Sequence, residues 1–296
     1  MTTKRKGAKK SAALKPKVAA KGRLRGAMAV ASDSRKTVKE RVSALAGSPL
    51  EACKSDLSLQ AMLGILRNQQ EPAPVRHAAL RSLQAASFSV VAFESGRGDY
   101  IATMRQVAED PDLEIRQSVL GILAREKDGF AQKRLLEGLK DPDKALLPPE
   151  KALQLLSYDV HADAYAAARA ILANPPNPAA KREALRLLSA DAASASVLEA
   201  ILRDKNESAE IRQVAAAALH AIQPEKMQAL AREMVLDGGE QDSIQTTSLT
   251  ALTHFGNAET IAADSELLGR VRSLASLESP GLIQEAAGRF LNKHSH

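Results

Sequence analysis

The sequence of 296 residues has one cysteine, no tryptophan and only eight aromatic residues. Because Cys53 stands alone, an intrachain disulfide is excluded, and a reducing, cytosolic compartment is expected. The scarcity of aromatic side chains leaves alanine and leucine to fill the interior, which suits closely stacked helices. We predict a cytoplasmic location, with a nuclear or organellar one as the alternative if the source is eukaryotic.

Long apolar runs are also missing. A transmembrane helix needs about 18 consecutive apolar residues, and nothing in the sequence approaches that length. Near the start, the longest run is AMAVA at residues 27–31, which is too short for the core of a secretory signal. The sequence therefore predicts neither a membrane span nor a secretory signal.

Residues that could carry catalysis are few and scattered. The glycine-containing turns SGRG (95–98) and DGGE (237–240) lack the lysine and the spacing of a phosphate-binding loop. The histidines have no metal-type partner at helical spacing: they are His77, His161, His220, His254, His294 and His296. We therefore predict no catalytic residue, no metal, no cofactor and no enzymatic activity.

Acidic residues are absent from the first 30 residues, and the remaining 266 hold 31 basic and 35 acidic side chains. The net charge of +6 thus originates in residues 1–36, which we predict to be a disordered basic tail. Three roles fit such a tail: a solubilising extension, targeting, or electrostatic attachment to nucleic acid. Its cations are Lys4, Arg5, Lys6, Lys9, Lys10, Lys15, Lys17, Lys21, Arg23 and Arg25.

A pattern returns along the chain with spacings of 31 to 40 residues. The arginine of IRQSVLGIL defines an anchor position, and its equivalents are Arg76, Arg116, Pro149, Lys181, Arg212, Gln245 and Gln284. Seven positions after each anchor stands a leucine: Leu83, Leu123, Leu156, Leu188, Leu219, Leu252 and Leu291. A column without exception indicates an internal repeat in which each anchor helix buries its leucine.

A second apolar segment precedes each anchor helix, and turn-forming residues such as DPD, NPPNP and DGGE separate the two. These segments are residues 56–68, 99–109, 130–140, 160–173, 196–204, 225–237 and 260–275. In DPDLEIRQSVLGILARE (110–126), Asp110 is predicted to cap the anchor helix and Pro111 to occupy its first position. The sequence predicts helical hairpins, and β-strands are not expected.

This pattern over residues 56–296 resembles the HEAT-repeat family, including the HEAT-like repeats of bilin lyases. The resemblance implies an all-α fold, an α-solenoid of about seven helical hairpins in a right-handed superhelix. We assign it to residues 37–296, in which residues 37–47 form either an N-terminal capping helix or part of a complete first repeat. It also implies a ladder between an aspartate and an arginine six residues later. Asp110/Arg116 fits fully, Asn206/Arg212 and Gln70/Arg76 fit partly, and the ladder is expected to be broken in the other four units.

The polar face of the anchor helices is the predicted binding surface, since the resemblance implies that these helices line a concave groove. Our hypothesis is that the groove binds a polar or acidic protein segment. The alternative is a plain solvated face. The residues assigned to the groove are His77, Arg81, Gln117, Gln154, Arg182, Arg186, Gln213, His220, Thr250 and Arg289.

Three functions follow from these observations. The leading prediction is a non-enzymatic interaction scaffold or adaptor that binds a protein partner. The first alternative is a nucleic-acid-associated protein tethered by the basic tail. The second, which rests on the repeat resemblance alone, is a bilin lyase-like modifying enzyme. The sequence leaves the identity of the partner and the oligomeric state open.

Overall fold

The computed structural model describes residues 24–159, 162–276 and 281–294. Within these ranges the chain consists of helices and short turns without a β-strand, which confirms the predicted all-α fold. It divides into two compact units, residues up to Val107 and residues from Ala108 onward. Of the predicted tail cations, all except Arg25 lie outside the described residues, as do His161 and His296.

Unit 1 contains six α-helices in its described part. They are α1 (Gly26–Ala31), α2 (Val38–Ala46), α3 (Asp56–Arg67), α4 (Ala73–Ser87), α5 (Val90–Phe93) and α6 (Arg97–Val107). The first of them lies inside the range predicted as tail. Met28 and Ala31 of α1 are buried against neighbouring helices, so the folded part begins before residue 37.

Unit 2 continues the helical series. Its helices are α7 (Leu113–Arg125), α8 (Gly129–Lys140), α9 (Pro149–Leu156), α10 (Ala162–Ala173), α11 (Pro178–Leu188), α12 (Ala195–Arg203), α13 (Ala209–Ile222), α14 (Pro224–Leu236), α15 (Asp242–Phe255), α16 (Ala258–Ala262), α17 (Ser265–Ala275) and α18 (Leu282–His294). Neighbours in sequence pack as hairpins in both units: α3 with α4, α8 with α9, α10 with α11, α12 with α13, α14 with α15, and α17 with α18. The predicted hairpin repeat is therefore confirmed.

The leucine column forms the interior of these hairpins. Six of its members are at most 4% exposed: Leu83, Leu123, Leu156, Leu188, Leu219 and Leu252. The seventh, Leu291, is only half-buried, and its neighbour Phe290 is fully buried instead. The last helix thus turns a different side chain into the core.

Anchor side chains cap the end of the preceding helix. The Arg76 guanidinium donates to the Leu66 carbonyl oxygen at 2.9–3.0 Å, and Arg212 Nε donates to the Leu202 carbonyl at 2.8 Å. These carbonyls lie in the last turn of a helix, where no backbone donor is available to them. These two anchors therefore each satisfy an acceptor ten residues earlier and fix the hairpin turn.

Arg41 of α2 also caps the end of the preceding helix, although the leucine column does not include α2. Its Nε donates to the Ala31 carbonyl oxygen at 2.7 Å, again ten residues earlier, and its guanidinium pairs with Glu71 at 2.7 Å. Helices α1 and α2 therefore form a further hairpin, and residues 37–47 are half of it rather than a lone capping helix.

The ladder between repeats uses other acids than the sequence suggested. Arg212 pairs with Glu240, and Lys181 pairs with Glu207. In both pairs the acid lies in the turn of the next helical hairpin along the chain. The Arg116 guanidinium does reach Asp110, but it donates to the main-chain oxygen, at 2.7 Å. The predicted break of the ladder at Lys181 is therefore wrong. Glu207 completes the ladder there, and it lies far from Lys181 in the sequence.

Two local predictions are corrected by helix capping. The N-cap of α7 is Asp112, whose carboxylate accepts from the backbone N–H groups of Glu114 and Ile115, so Asp110 and Pro111 precede the helix. Residues 260–275 are not one helix. The carboxylate of Asp264 accepts from Leu267 N at 3.0 Å and begins a new helix there.

Close packing at Gly138 of α8 gives a testable prediction. A Cβ at this position would lie 2.8 Å from the Ala145 Cα, so Gly138→Ala is expected to destabilise the fold by about 1–3 kcal/mol. The matched control is Gly269→Ala in α17, where a Cβ meets nothing within 4 Å. There the better helix propensity of alanine should add about 0.5–1 kcal/mol. Urea unfolding measures both, and equal effects of the two substitutions would contradict the proposed close packing.

Candidate binding groove

An open groove of about 550 Å³ runs between the anchor helices α11 and α13 in unit 2. Its lining residues are Arg186, Ser189, Glu210, Gln213, Val214, Ala217, Ala218 and Ala221. Two of them, Arg186 and Gln213, belong to the predicted groove, so the structure brings this pair of predicted residues together. Both come from anchor helices, as the repeat pattern implied.

The floor of the groove consists of small apolar side chains on α13. Pairs among them lie three or four residues apart, which places the side chains on one helical face: Val214, Ala217, Ala218 and Ala221. Ala217 and Ala221 are exposed, whereas Ala218 is buried. Because these side chains are short, they leave a shallow apolar trough beside the longer side chains of α11.

The rim on the α11 side is charged but balanced. Arg186 pairs with Glu183 at 2.6 Å, and Arg182 pairs with Glu210 across the groove. Both guanidiniums are partly exposed, so these ion pairs are weak and exchangeable. Each of these two guanidiniums at the rim is therefore paired with a carboxylate.

The α15 side of the groove is polar. Gln213 Nε2 donates to the Thr247 hydroxyl at 3.0 Å and to the Ser243 carbonyl at 3.3 Å, which orients the amide. Further along α13, the His220 ring lies against the Phe255 ring with centroids 4.2 Å apart. These contacts hold two of the predicted groove residues in fixed positions.

The other predicted groove residues are surface groups on their own helices. Gln117, Gln154 and Thr250 are exposed on α7, α9 and α15. Arg289 is exposed on α18 and pairs with Glu285 at 3.5 Å. In unit 1, His77 is half-buried and Arg81 exposed, both on α4. None of these six lines the groove between α11 and α13.

Sequence reasoning missed Glu210, Val214, Ala218 and Ala221 as groove residues. The predicted groove residues were chosen among the polar side chains opposite the apolar stripe, so small apolar residues beside that stripe were not considered. A run of alanine and valine at helical spacing beside the stripe was the available signal, since short side chains leave space on a helix surface.

Comparisons with known proteins give likenesses to solved structures alone. No family model and no curated protein matches this chain. Eleven chains of solved structures match, including the complex of CpcE and CpcF of phycocyanin lyase from Nostoc sp. PCC7120. The TM-score is 0.28 with 16% sequence identity, and the match covers 95% of this chain and 99% of that chain.

The predicted non-enzymatic scaffold is corrected by this comparison. The similar chain belongs to a complex that its description names a lyase. The prediction was based on the absence of a catalytic motif from the sequence, and an absence of that kind does not exclude an enzyme. Separately, no helix among the described residues is long and apolar enough to cross a membrane.

Proposed function

We propose that this chain is a bilin lyase-like protein of the HEAT-like repeat class that holds a bilin in the groove between α11 and α13. A bilin has a flat, apolar, conjugated body and carries propionate carboxylates. The observation that carries the proposal is the composition of the groove: a trough of small apolar side chains beside the exposed guanidinium of Arg186. An acceptor protein for the bilin is part of the proposal.

The groove matches this ligand in size and in charge. A volume of about 550 Å³ lies within the usual range of small-molecule sites. The floor can lie against the apolar face of the ligand, while the Arg186 guanidinium can exchange Glu183 for a propionate and form a bidentate pair. Arg182 stands one helical turn before Arg186 and offers a second cation at the same rim.

Titration with a bilin tests the binding step. We expect the purified full chain to shift and sharpen the absorption of biliverdin, because a rigid apolar surface orders the free pigment. Replacing Ala217 and Ala221 with leucine fills the trough and should weaken binding about tenfold or more, since overpacking costs about 1–3 kcal/mol. The same change at Ala166 and Ala170, exposed at the same spacing on α10, is the matched control and should leave the affinity unchanged.

A second measurement separates binding from transfer. The chain, the bilin and apo-phycocyanin are incubated together, and mass spectrometry of the acceptor detects added pigment. Pigment transfer that disappears with the groove-filling variant supports the proposal in full. Absence of pigment binding, or binding that the two leucines leave intact, contradicts the assignment of the groove.

A further inference from the structure

The segment between α4 and α6 exposes three large apolar side chains. Phe88 is 78% exposed, Val90 64% and Val91 93%, which are values unusual for side chains of this type. We call these three residues the apolar tip. The segment lies in the longest interval between anchors, the 40 residues from Arg76 to Arg116. Its extra residues form α5 and the following turn.

The tip is held in place by contacts on its inner side. Phe93, at the end of α5, is 2% exposed and packs edge-on against the Tyr100 ring of α6, with centroids 5.4 Å apart. The short turn at Glu51–Cys53 contacts both α4 and α5. With Phe93 directed inward, Val91 lies on the opposite face of the short helix, and Phe88 and Val90 on its N-terminal side are exposed as well.

Unit 1 also carries a positive charge. Its described residues, 24–107, hold eleven basic and seven acidic side chains, and residues 1–23 add nine basic and no acidic ones. In contrast, residues 108–296 hold 21 basic and 28 acidic side chains. The apolar tip therefore belongs to the basic part of an unevenly charged chain.

We propose that the apolar tip docks unit 1 on an anionic lipid surface. The three side chains expose on the order of 400 Å², which is about half of what one partner contributes to a stable protein interface. Insertion at a bilayer interface requires less area, because a few aromatic and aliphatic side chains and electrostatic attraction act together. Protruding apolar side chains on a basic unit provide both contributions.

Vesicle sedimentation with the full chain tests this proposal. We expect the chain to sediment with vesicles of phosphatidylcholine and phosphatidylglycerol, to bind pure phosphatidylcholine at least about tenfold more weakly, and to dissociate in high salt. Replacing Phe88, Val90 and Val91 with serine should weaken binding to the anionic vesicles by about tenfold or more. The control variant Leu113→Ser/Val197→Ser removes exposed apolar groups from unit 2 and should bind like the wild type.

A single tryptophan reports on insertion directly, because the chain has none of its own. In Phe88→Trp, the emission should move to shorter wavelength when anionic vesicles are added. The matched variant Phe255→Trp, on α15, should show no such shift. An unshifted Phe88→Trp spectrum, vesicle binding by the serine variant at wild-type strength, or tip-dependent capture of a protein without any vesicle binding overturns the proposal.

Discussion

Replacing Arg212 with alanine is expected to lower the free energy of unfolding by about 3–5 kcal/mol, the range for breaking a buried ion pair. The Arg212 and Glu240 side chains are 0% and 2% exposed and form a bidentate pair at 2.6 and 2.8 Å. The same guanidinium caps the Leu202 carbonyl at the end of α12. The substitution therefore leaves the buried carboxylate without its charged partner and the Leu202 carbonyl without its side-chain donor. Chemical denaturation monitored by circular dichroism measures the loss.

Arg182→Ala is the control for this prediction. Its pair with Glu210 also joins neighbouring repeats, but the two side chains are 31% and 64% exposed. Exposed pairs contribute about 0–1 kcal/mol, so the control variant should remain close to the wild type. Similar losses from both substitutions would contradict a special role of the buried pair.

The pH dependence of the Arg212→Ala effect gives a second readout. Burial by itself raises the pKa of Glu240, but hydrogen bonds from Arg212 and from the Gln241 backbone hold that pKa below its usual value of 4.5. The wild-type pair therefore stabilises the fold fully above this pH and less as the pH falls through the lowered pKa. In the variant, burial without Arg212 raises the pKa of Glu240. The stability difference between the two proteins should thus shrink toward acidic pH.

Truncating Leu219 to alanine is expected to cost about 2–5 kcal/mol, because it removes a fully buried side chain and leaves a cavity. Leu219 lies in α13, between the packing partners α12 and α14 and next to the groove helix face. Loss of this packing should also loosen the helix that forms the groove floor. Thermal unfolding and amide hydrogen exchange over α13 measure the two consequences.

Leu291→Ala provides the matched comparison, since the two leucines occupy the same column of the repeat. Leu291 is half-buried, so its truncation should cost clearly less, on the order of 1 kcal/mol. Phe290→Ala should instead cost about 3–5 kcal/mol, because Phe290 is a large, fully buried side chain of α18. Equal losses at Leu219 and Leu291 would show that repeat position, and not burial, decides stability.

The repeat could be predicted from the sequence because each helix of a hairpin follows from the spacing of apolar residues along a short stretch of chain. Apolar residues at three- and four-residue intervals, with turn-forming residues between them, predicted nearly every helix to within a few residues. The residues at which helices begin and end were predicted less well. Asp110 and Asp112 are equally good capping residues, and only the path of the chain selects Asp112.

Two residues that line the candidate groove were among those selected from the sequence. The repeat alignment placed Arg186 and Gln213 on one polar face, and both line the groove. Their partners could not be inferred, because Thr247 and Ser243 lie 30 or more residues from Gln213 and reach it only by the stacking of α13 on α15. The same limit applies to Glu240 and Glu207, the acids that complete the ladder.

By itself, the sequence determined the all-α class, the hairpin repeat, the leucine column and the uneven charge along the chain. All of these depend on residues close together in the chain or on composition. Only the tertiary structure decided which acid each anchor meets, that α1 and Arg41 complete another hairpin, and that Phe88, Val90 and Val91 remain exposed. The physical reason is that burial and ion pairing are properties of the space between helices, which local sequence periodicity does not specify.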